Sequence, residues 1–381
     1  MSGVRDGAAI SVLVPFRDAA GTVASAARGV LGSPLVRELL AIDDGSLDGG
    51  AARVRELADR DPRVRVVEGH GVGVARALAL GVSLARHALL GRMDADDLSL
   101  PGRFEASAAL LASDPGLGAV GTQVAVESET PAPGLEAYVA WQNGLVTREE
   151  HAAARFIEAP LCHPSTLLRR DALAQVGGYR EPGAAGADHD WAEDYDLWLR
   201  LAEAGFGLAK VPRVLLSWRH HAGRATFRDA RCSERALLLA RAHYLARHLD
   251  EHLGPLAPGL ESGQSRRPLA IWGAGKTGRR LGRALAERGL AADLWVDLDP
   301  AKIGRSLQNA PIVAPEALPF DAFVLVALRG RGAFALSERE RRTTSAGAAG
   351  AAGVGGYARD IVRARLTAGG RLEGADFLCA G

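Results

Sequence analysis

Residues 88–97 read "ALLGRMDADD". An apolar run closes on three carboxylates, Asp94, Asp96 and Asp97, within four positions. The run has the length and composition of a buried strand. Like charges set this close repel unless a positive group lies against them. Working outward, "ISVLVPF" (10–16) is a β-branched strand stopped at Pro15, and "GTVASAARGVLGSP" (21–34) a helix ended by Gly32 and Pro34. "ELLAIDDGS" (38–46) is a second strand closing on Asp43 and Asp44. "DGGAARVRELADRDP" (48–62) is a helix, "VRVVEG" (64–69) a strand, and "GVGVARALALGVSLARH" (71–87) a helix entered through glycines. Strand and helix alternate through short links. That pattern predicts an α/β fold, a mostly parallel sheet with helices on both faces. Ligands of such sheets bind beyond the carboxyl ends of the strands. All five acids named above fall on that edge.

Further along, 117–128 reads as a strand and 135–156 as a helix carrying Trp141. "DWAEDYDLWLRLAEAG" (190–205) is a helix with Leu197, Trp198 and Leu201 on one face and Glu193 and Asp194 in its first turn. "VPRVLLSWRHHAGRATF" (211–227) is a strand entering a basic loop, and a helix covers about 229–252. The predicted organisation is a first domain over 1–255, a linker over 256–267 and a second, smaller α/β domain over 268–381. The second opens with "PLAIWGAGKTGRRLGRALAERGL" (268–290), in which Gly273, Gly275 and Gly278 form a G-x-G-x-x-G turn between strand and helix. Such a turn lets a diphosphate approach a helix N-terminus, and Asp297 or Asp299 ends the next strand where a ribose-binding acid belongs. The unit is short for a full dinucleotide fold, so a degenerate unit serving packing or acceptor binding is the reading preferred over dinucleotide binding. The low-complexity stretch 333–356 is predicted to be a mobile excursion.

Composition bounds the function classes. No apolar run approaches the ~20 residues of a membrane span, and the N-terminus has no signal-peptide apolar region. The expectation is a soluble cytoplasmic protein with no membrane span. Cys162, Cys232 and Cys379 are odd in number and scattered, unlike a disulfide frame or zinc cluster. Net charge is +1, which gives no sign of a strong polyanion binder over the whole chain. The balance is uneven: from Arg266 onward there are 18 Lys and Arg against 11 Asp and Glu, and before it 28 against 34. The excess fits either a solvated surface or a contact with an anionic partner.

Carboxylates two apart on a strand-to-loop turn suit a hard divalent cation, Mg²⁺ or Mn²⁺, held against a diphosphate. The same acids would also serve as an N-cap cluster for the helix opened by Pro101. Taken in order, "SVLVPFRDAAGTV", "IDDGSLDGG", "GVGVARALALGV", "MDADDLSLPGRFE", "HPSTLLRRDALAQVGGY" and "AEDYDLWLRLAEAG" resemble the inverting, metal-dependent family 2 glycosyltransferases over residues 10 to 225. The resemblance implies a glycosyltransferase A-type fold that binds a nucleoside-diphosphate sugar, with UDP as nucleotide and a hexose, galactose among them, as the sugar. It implies that Pro15, Asp43, Asp44, Arg76 and Asp94 meet the nucleotide sugar, and that Asp96 and Asp94 hold the metal. It makes Asp194 the base for the acceptor hydroxyl, with Glu193 beside it. The family often has Asn after its Ala-Arg pair, where Ala77 and Leu78 follow Arg76 here. "SWRHH" is similar to the family's Tyr-Arg-x-His stretch, which implies Arg219 on the diphosphate and His221 or His220 in the metal shell. The wider layout, with "WGAGKTGRRLGRAL", "WVDLDPAKIG" and "EGADFL", resembles the queuosine-tRNA galactosyltransferase group, and so implies queuosine in tRNA as acceptor. A glycan or lipid acceptor in polysaccharide synthesis is the alternative. An oxidoreductase built on the glycine-rich turn, or a non-catalytic module that binds nucleotide sugar, are rivals from other classes.

Overall fold

Seven consecutive buried residues, Ile10–Phe16, make β1, a strand with no solvent face. In this computed structural model, which describes residues 9–128, 130, 132–181, 191–221, 229–254, 266–328 and 358–380, such strands form two separate sheets. The chain divides into two compact units, one of Met1–Arg155 with Ala159–Ala240, the other of Phe156–Glu158 with Arg241–Gly381.

In the first unit, β1 is followed by α1 (Val23–Leu31), β2 (Val36–Asp43), α2 (Gly50–Ala58), β3 (Val64–Glu68), α3 (Val74–Leu84), β4 (Leu89–Arg92), β5 (Leu98–Ser99), α4 (Arg103–Ser113) and β6 (Leu117–Ser128). Then come α5 (Pro133–Gly144), α6 (Arg148–Ala154), β7 (Leu167–Arg169), α7 (Arg170–Gln175), α8 (Glu193–Glu203) and β8 (Gly207–His220). The eight strands order as β3-β2-β1-β4-β7-β6-β8-β5. β1, β2, β3 and β4 run parallel, as do β6 and β8. β7 is antiparallel to β4 and to β6, and β5 is antiparallel to β8. The order reverses between β1 and β4, the switch point at which a doubly wound sheet opens a crevice. The core lies on both faces of the sheet. Val12, Val14 and Leu39 pack with α1 and α2, and Leu13, Leu40 and Ile42 pack with α3 and α8. The α3 face lies so close that a Cβ on Gly81 would stand 2.6 Å from Ile42.

The predicted single helix over 135–156 is two, α5 and α6. The cause is a reciprocal cap. Thr147 Oγ1 accepts from Glu150 N at 3.2 Å, and Glu150 Oε2 accepts from Val146 N and Thr147 N at 2.8 and 2.9 Å.

α9 (Glu234–Leu253) contains the division between the units. Beyond it lie β9 (Leu269–Trp272), α10 (Lys276–Ala286), β10 (Leu294–Val296), β11 (Ser306–Leu307), β12 (Ala310–Val313), β13 (Phe323–Val326), α11 (Ala358–Ala368) and β14 (Phe377–Cys379). Their sheet orders as β11-β12-β10-β9-β13-β14, all parallel except the β11–β12 pair. The Gly/Ala-rich loop 183–187, most of the linker 256–267 and the stretch 333–356 lie outside the described residues. Among the described residues no helix is long and apolar enough to cross a membrane, and all three cysteines are free thiols.

Candidate active site

β4 delivers its acids to the switch point beside the end of β1, where Pro15 is buried in register with Ile42 and Phe16 with Asp43. Carboxylate oxygens of Asp94, Asp96 and Asp97 lie within 4.8 Å of one another. Three contacts hold them. Asp94 pairs with the buried Arg92 guanidinium. Asp96 Oδ2 meets His221 Nε2 at 2.8 Å. Asp97, almost wholly buried, accepts from Arg219 N at 2.8 Å. The short strand β5 follows the acids directly and pairs Leu98 with Ser217. That pairing brings the end of β8, with Arg219 and His221, against the acids. Arg219 also extends its guanidinium to 3.9 Å from Glu127.

Of the two acids ending β2, Asp44 is buried, and its two oxygens accept from Val72 N at 2.7 Å and Gly73 N at 2.9 Å. It thereby fixes the glycine turn that enters α3. Asp43 is half-buried and accepts from Ser46 N at 2.9 Å. Arg76, exposed in the first turn of α3, pairs with Glu181 at 3.2 Å.

The first turn of α8 carries Glu193 and Asp194, both largely buried. Burial first, then the neighbouring Asp194 charge, push the Glu193 carboxyl up to about 7. Burial also raises Asp194, against the pull of the Tyr195 N–H, which donates to its Oδ1 at 2.7 Å, and of Arg92. Burial works against the charge of Arg92. Asp94, Tyr179 and Glu193 outweigh it, and the guanidinium is held above its ordinary range. Arg92 is therefore the cation common to the acids of β4 and α8. His163 is buried, bonds Tyr179 Oη through Nε2 at 2.9 Å, and places Nδ1 3.9 Å from Glu193. Burial, then Arg92, push its pKa well below the ordinary value, so it is neutral. Asp196, two residues beyond Asp194, is committed to Arg200 at 2.8 Å and Arg180 at 3.3 Å.

Sequence reasoning missed three neighbours. Arg92 was legible in principle, since an arginine inside an apolar parallel strand needs a partner. Arg231 reaches within 3.9 Å of Glu193. Burial and then the charges of Asp194 and Glu193 push the Cys232 thiol up to about 12, so Cys232 is an unreactive wall of the same site. No spacing in the sequence ties residues 231 and 232 to position 193.

In the second unit the glycine-rich turn is stitched internally. Asp297 Oδ2 accepts from Ala274 N at 3.0 Å and from Lys302 Nζ at 2.9 Å. Gly273 adopts φ +117°, and a Cβ on Gly278 would come 1.9 Å from the Gly273 carbonyl oxygen. Gly275 opens α10. The cleft beside Gly273, Gly275, Asp297 and Lys302 measures about 80 Å³ among the described residues, against several hundred for an ordinary ligand pocket.

Residues 11–177 match the family model described as Glycosyl transferase family 2. The chain is 30% identical over 186 residues to the amylovoran biosynthesis glycosyltransferase AmsE of Erwinia amylovora, covering 48% of this chain and 64% of the relative. It is 30% identical over 213 residues to the succinoglycan biosynthesis protein ExoU of Rhizobium meliloti, covering 51% and 57%. Among solved structures, the mannosyltransferase PcManGT from Pyrobaculum calidifontis, in complex with GDP-Man and Mn²⁺, aligns at 21% identity with a TM-score of 0.43, over 64% of this chain and 63% of that one. The chain thus spans 64% and 57% of the length of these two curated relatives. The matched stretch is similar to family 2 glycosyltransferase domains, and its mixed, mostly parallel sheet is the glycosyltransferase A-type arrangement expected from the sequence.

Proposed function

We propose that the first unit is an inverting glycosyltransferase that moves a hexose from a nucleoside-diphosphate sugar, UDP in the first instance, to a hydroxyl of a glycan or lipid-borne acceptor in polysaccharide assembly. The observation that carries this reading is the pairing, across Arg92, of the Asp94, Asp96 and Asp97 cluster with the buried Glu193 and Asp194 at the switch point of a family 2 domain.

The donor set fits a hard divalent ion. It consists of carboxylate oxygens, with one imidazole of His221 against Asp96. Asp96 and Asp94 would hold Mn²⁺ or Mg²⁺, with His221 completing the shell. Such an ion supplies neutralising charge for the departing diphosphate. Pro15, Asp43 and Asp44 line the nucleotide end, and Arg76 and Arg219 face the phosphates. Burial raises both α8 acids, and the family resemblance assigns Asp194 rather than Glu193 as the base. Asp194 takes the proton of the acceptor hydroxyl as that oxygen bonds to the anomeric carbon. The bond from the anomeric carbon to the diphosphate breaks on the opposite face, so configuration inverts.

The relatives named for amylovoran and succinoglycan biosynthesis support a polysaccharide acceptor over queuosine in tRNA, which none of the comparisons supports. For the second unit the proposal is packing or acceptor binding, because Asp297 already occupies the Ala274 N–H that a phosphate would need. The test is release of nucleoside diphosphate from UDP- and GDP-sugars with Mn²⁺, with lipid-linked oligosaccharide, with bulk tRNA, or with neither. Metal-dependent release stimulated by the oligosaccharide is expected. Stimulation by tRNA alone would return the acceptor to RNA, and no release from any donor by folded protein would overturn the transferase reading.

A further inference from the structure

We propose that His248, Glu251 and His252, on the second half of α9, form a binding site for a borderline transition-metal ion, Zn²⁺ before others. The three recur at i, i+3 and i+4, so they share one face of the helix. One nitrogen of each imidazole and a Glu251 carboxylate oxygen already lie within 4.8 Å of one another, and the two ring centroids are 4.2 Å apart.

A second feature suits metal ligation. His252 Nδ1 lies 2.9 Å from the His248 carbonyl oxygen. A carbonyl only accepts, so Nδ1 carries the proton and Nε2 keeps its lone pair. Metal-binding histidines are held in this way, with the second ring nitrogen donating to a backbone carbonyl or carboxylate. The rings are also backed by aromatic groups of the same unit, His248 by Phe156 and His252 by Phe323, each at 5.8 Å between centroids. The buried Leu249 and Leu253 anchor the adjacent face of the helix, so the ligands stand on a fixed element. The helix ends at Leu253, so its last turn presents the negative end of the backbone dipole to a cation.

Two neutral imidazoles and one carboxylate favour Zn²⁺, Ni²⁺ or Cu²⁺ over Mg²⁺. Three protein ligands leave a fourth position for water or an exogenous ligand. The carboxylate-rich cluster after β4, with one imidazole at most, has the harder preference, so one chain would sort two classes of metal by ligand hardness.

The test is a Zn²⁺ titration of chelator-stripped, full-length protein against a chromogenic chelator, with saturating Mg²⁺ present to occupy the β4 acids. Wild type is expected to hold one more Zn²⁺ than His252→Ala and His248→Ala, and Glu251→Gln to bind that ion about 10-fold or more weakly. Equal stoichiometry in wild type and both histidine variants would overturn the proposal. Zinc-edge anomalous scattering from soaked wild-type crystals needs no variant to fold. A peak between His248 and His252 supports the site, and peaks only elsewhere, such as at His220 and His221, refute it.

Discussion

Asp94, Glu193 and Asp194 draw on one buried counter-charge, Arg92. Removing one partner of a buried ion pair strands the other and typically costs about 3–5 kcal/mol. Arg92→Met is therefore expected to lower stability by about that amount, read as a fall in the urea midpoint, and Mn²⁺ should restore more of the loss in the variant than it adds to wild type. Asp194→Asn keeps the shape of the α8 turn and removes the proton acceptor. Turnover should fall by roughly 10²- to 10⁴-fold while calorimetric affinity for nucleoside diphosphate is unchanged; lost affinity in a folded variant would remove Asp194 from the role of base. Lys210 is almost fully buried, donates to the Gln142 carbonyl, and is pushed by burial down to about 7 from the 10.5 of an exposed lysine. Between those two values the unfolded chain binds more protons than the folded one, so this group's contribution to stability rises with pH across the window. Its cost is fully present below pH ~7 and gone above ~10.5, an amount on the order of 3–5 kcal/mol. The stability of Lys210→Met relative to wild type should therefore be highest at pH 6 and decline steadily toward pH 10 in urea titrations. The acids of β4 and α8 were legible as residues because carboxylates at strand and helix ends stand out against apolar runs. Arg231, His163 and Cys232 were not, because their roles come from contacts between distant segments.

At the scale of elements, the strands and helices from β1 to β4 could be read one by one, since each is a periodic run bounded by Gly, Pro or Asp. β7 could not. Its three residues carry no period, yet it lies antiparallel between β4 and β6 and joins the two parallel parts of the sheet. β5 has two residues, and pairing with β8 alone gives it its role. The break between α5 and α6 was legible in the Thr147-x-x-Glu150 box, but the apolar periodicity of 135–156 runs across it and masked the signal. Thr147→Ala removes the acceptor for the Glu150 N–H. It should cost about 1 kcal/mol, seen as a lowered thermal midpoint, whereas a Thr147→Ser variant that keeps the hydroxyl should stay near wild type.

For the whole molecule the question is what the charge asymmetry does. Residues before Arg266 carry a net acidic balance and those after it a net basic one, and the basic share first suggested a phosphate-rich acceptor. Four of those basic groups are matched within the second unit: Arg267 with Asp376 at 2.7 Å, Lys302 with Asp297 at 2.9 Å, Arg363 with Glu373 at 3.0 Å and Arg365 with Glu316 at 2.8 Å. Basic groups paired internally release few counterions when an acceptor binds, and counterion release is what makes RNA binding fall steeply with salt. A protein making six to ten phosphate contacts loses about 10³- to 10⁵-fold in affinity between 50 and 200 mM salt. On the glycan reading no such contacts form. The acceptor KM measured with an uncharged oligosaccharide should then shift by less than about 3-fold across that range, a fraction of one phosphate-type slope. A KM for bulk tRNA as acceptor that climbs by orders of magnitude with salt would instead assign the basic groups to a polyanion and overturn the glycan reading, whatever the donor proves to be.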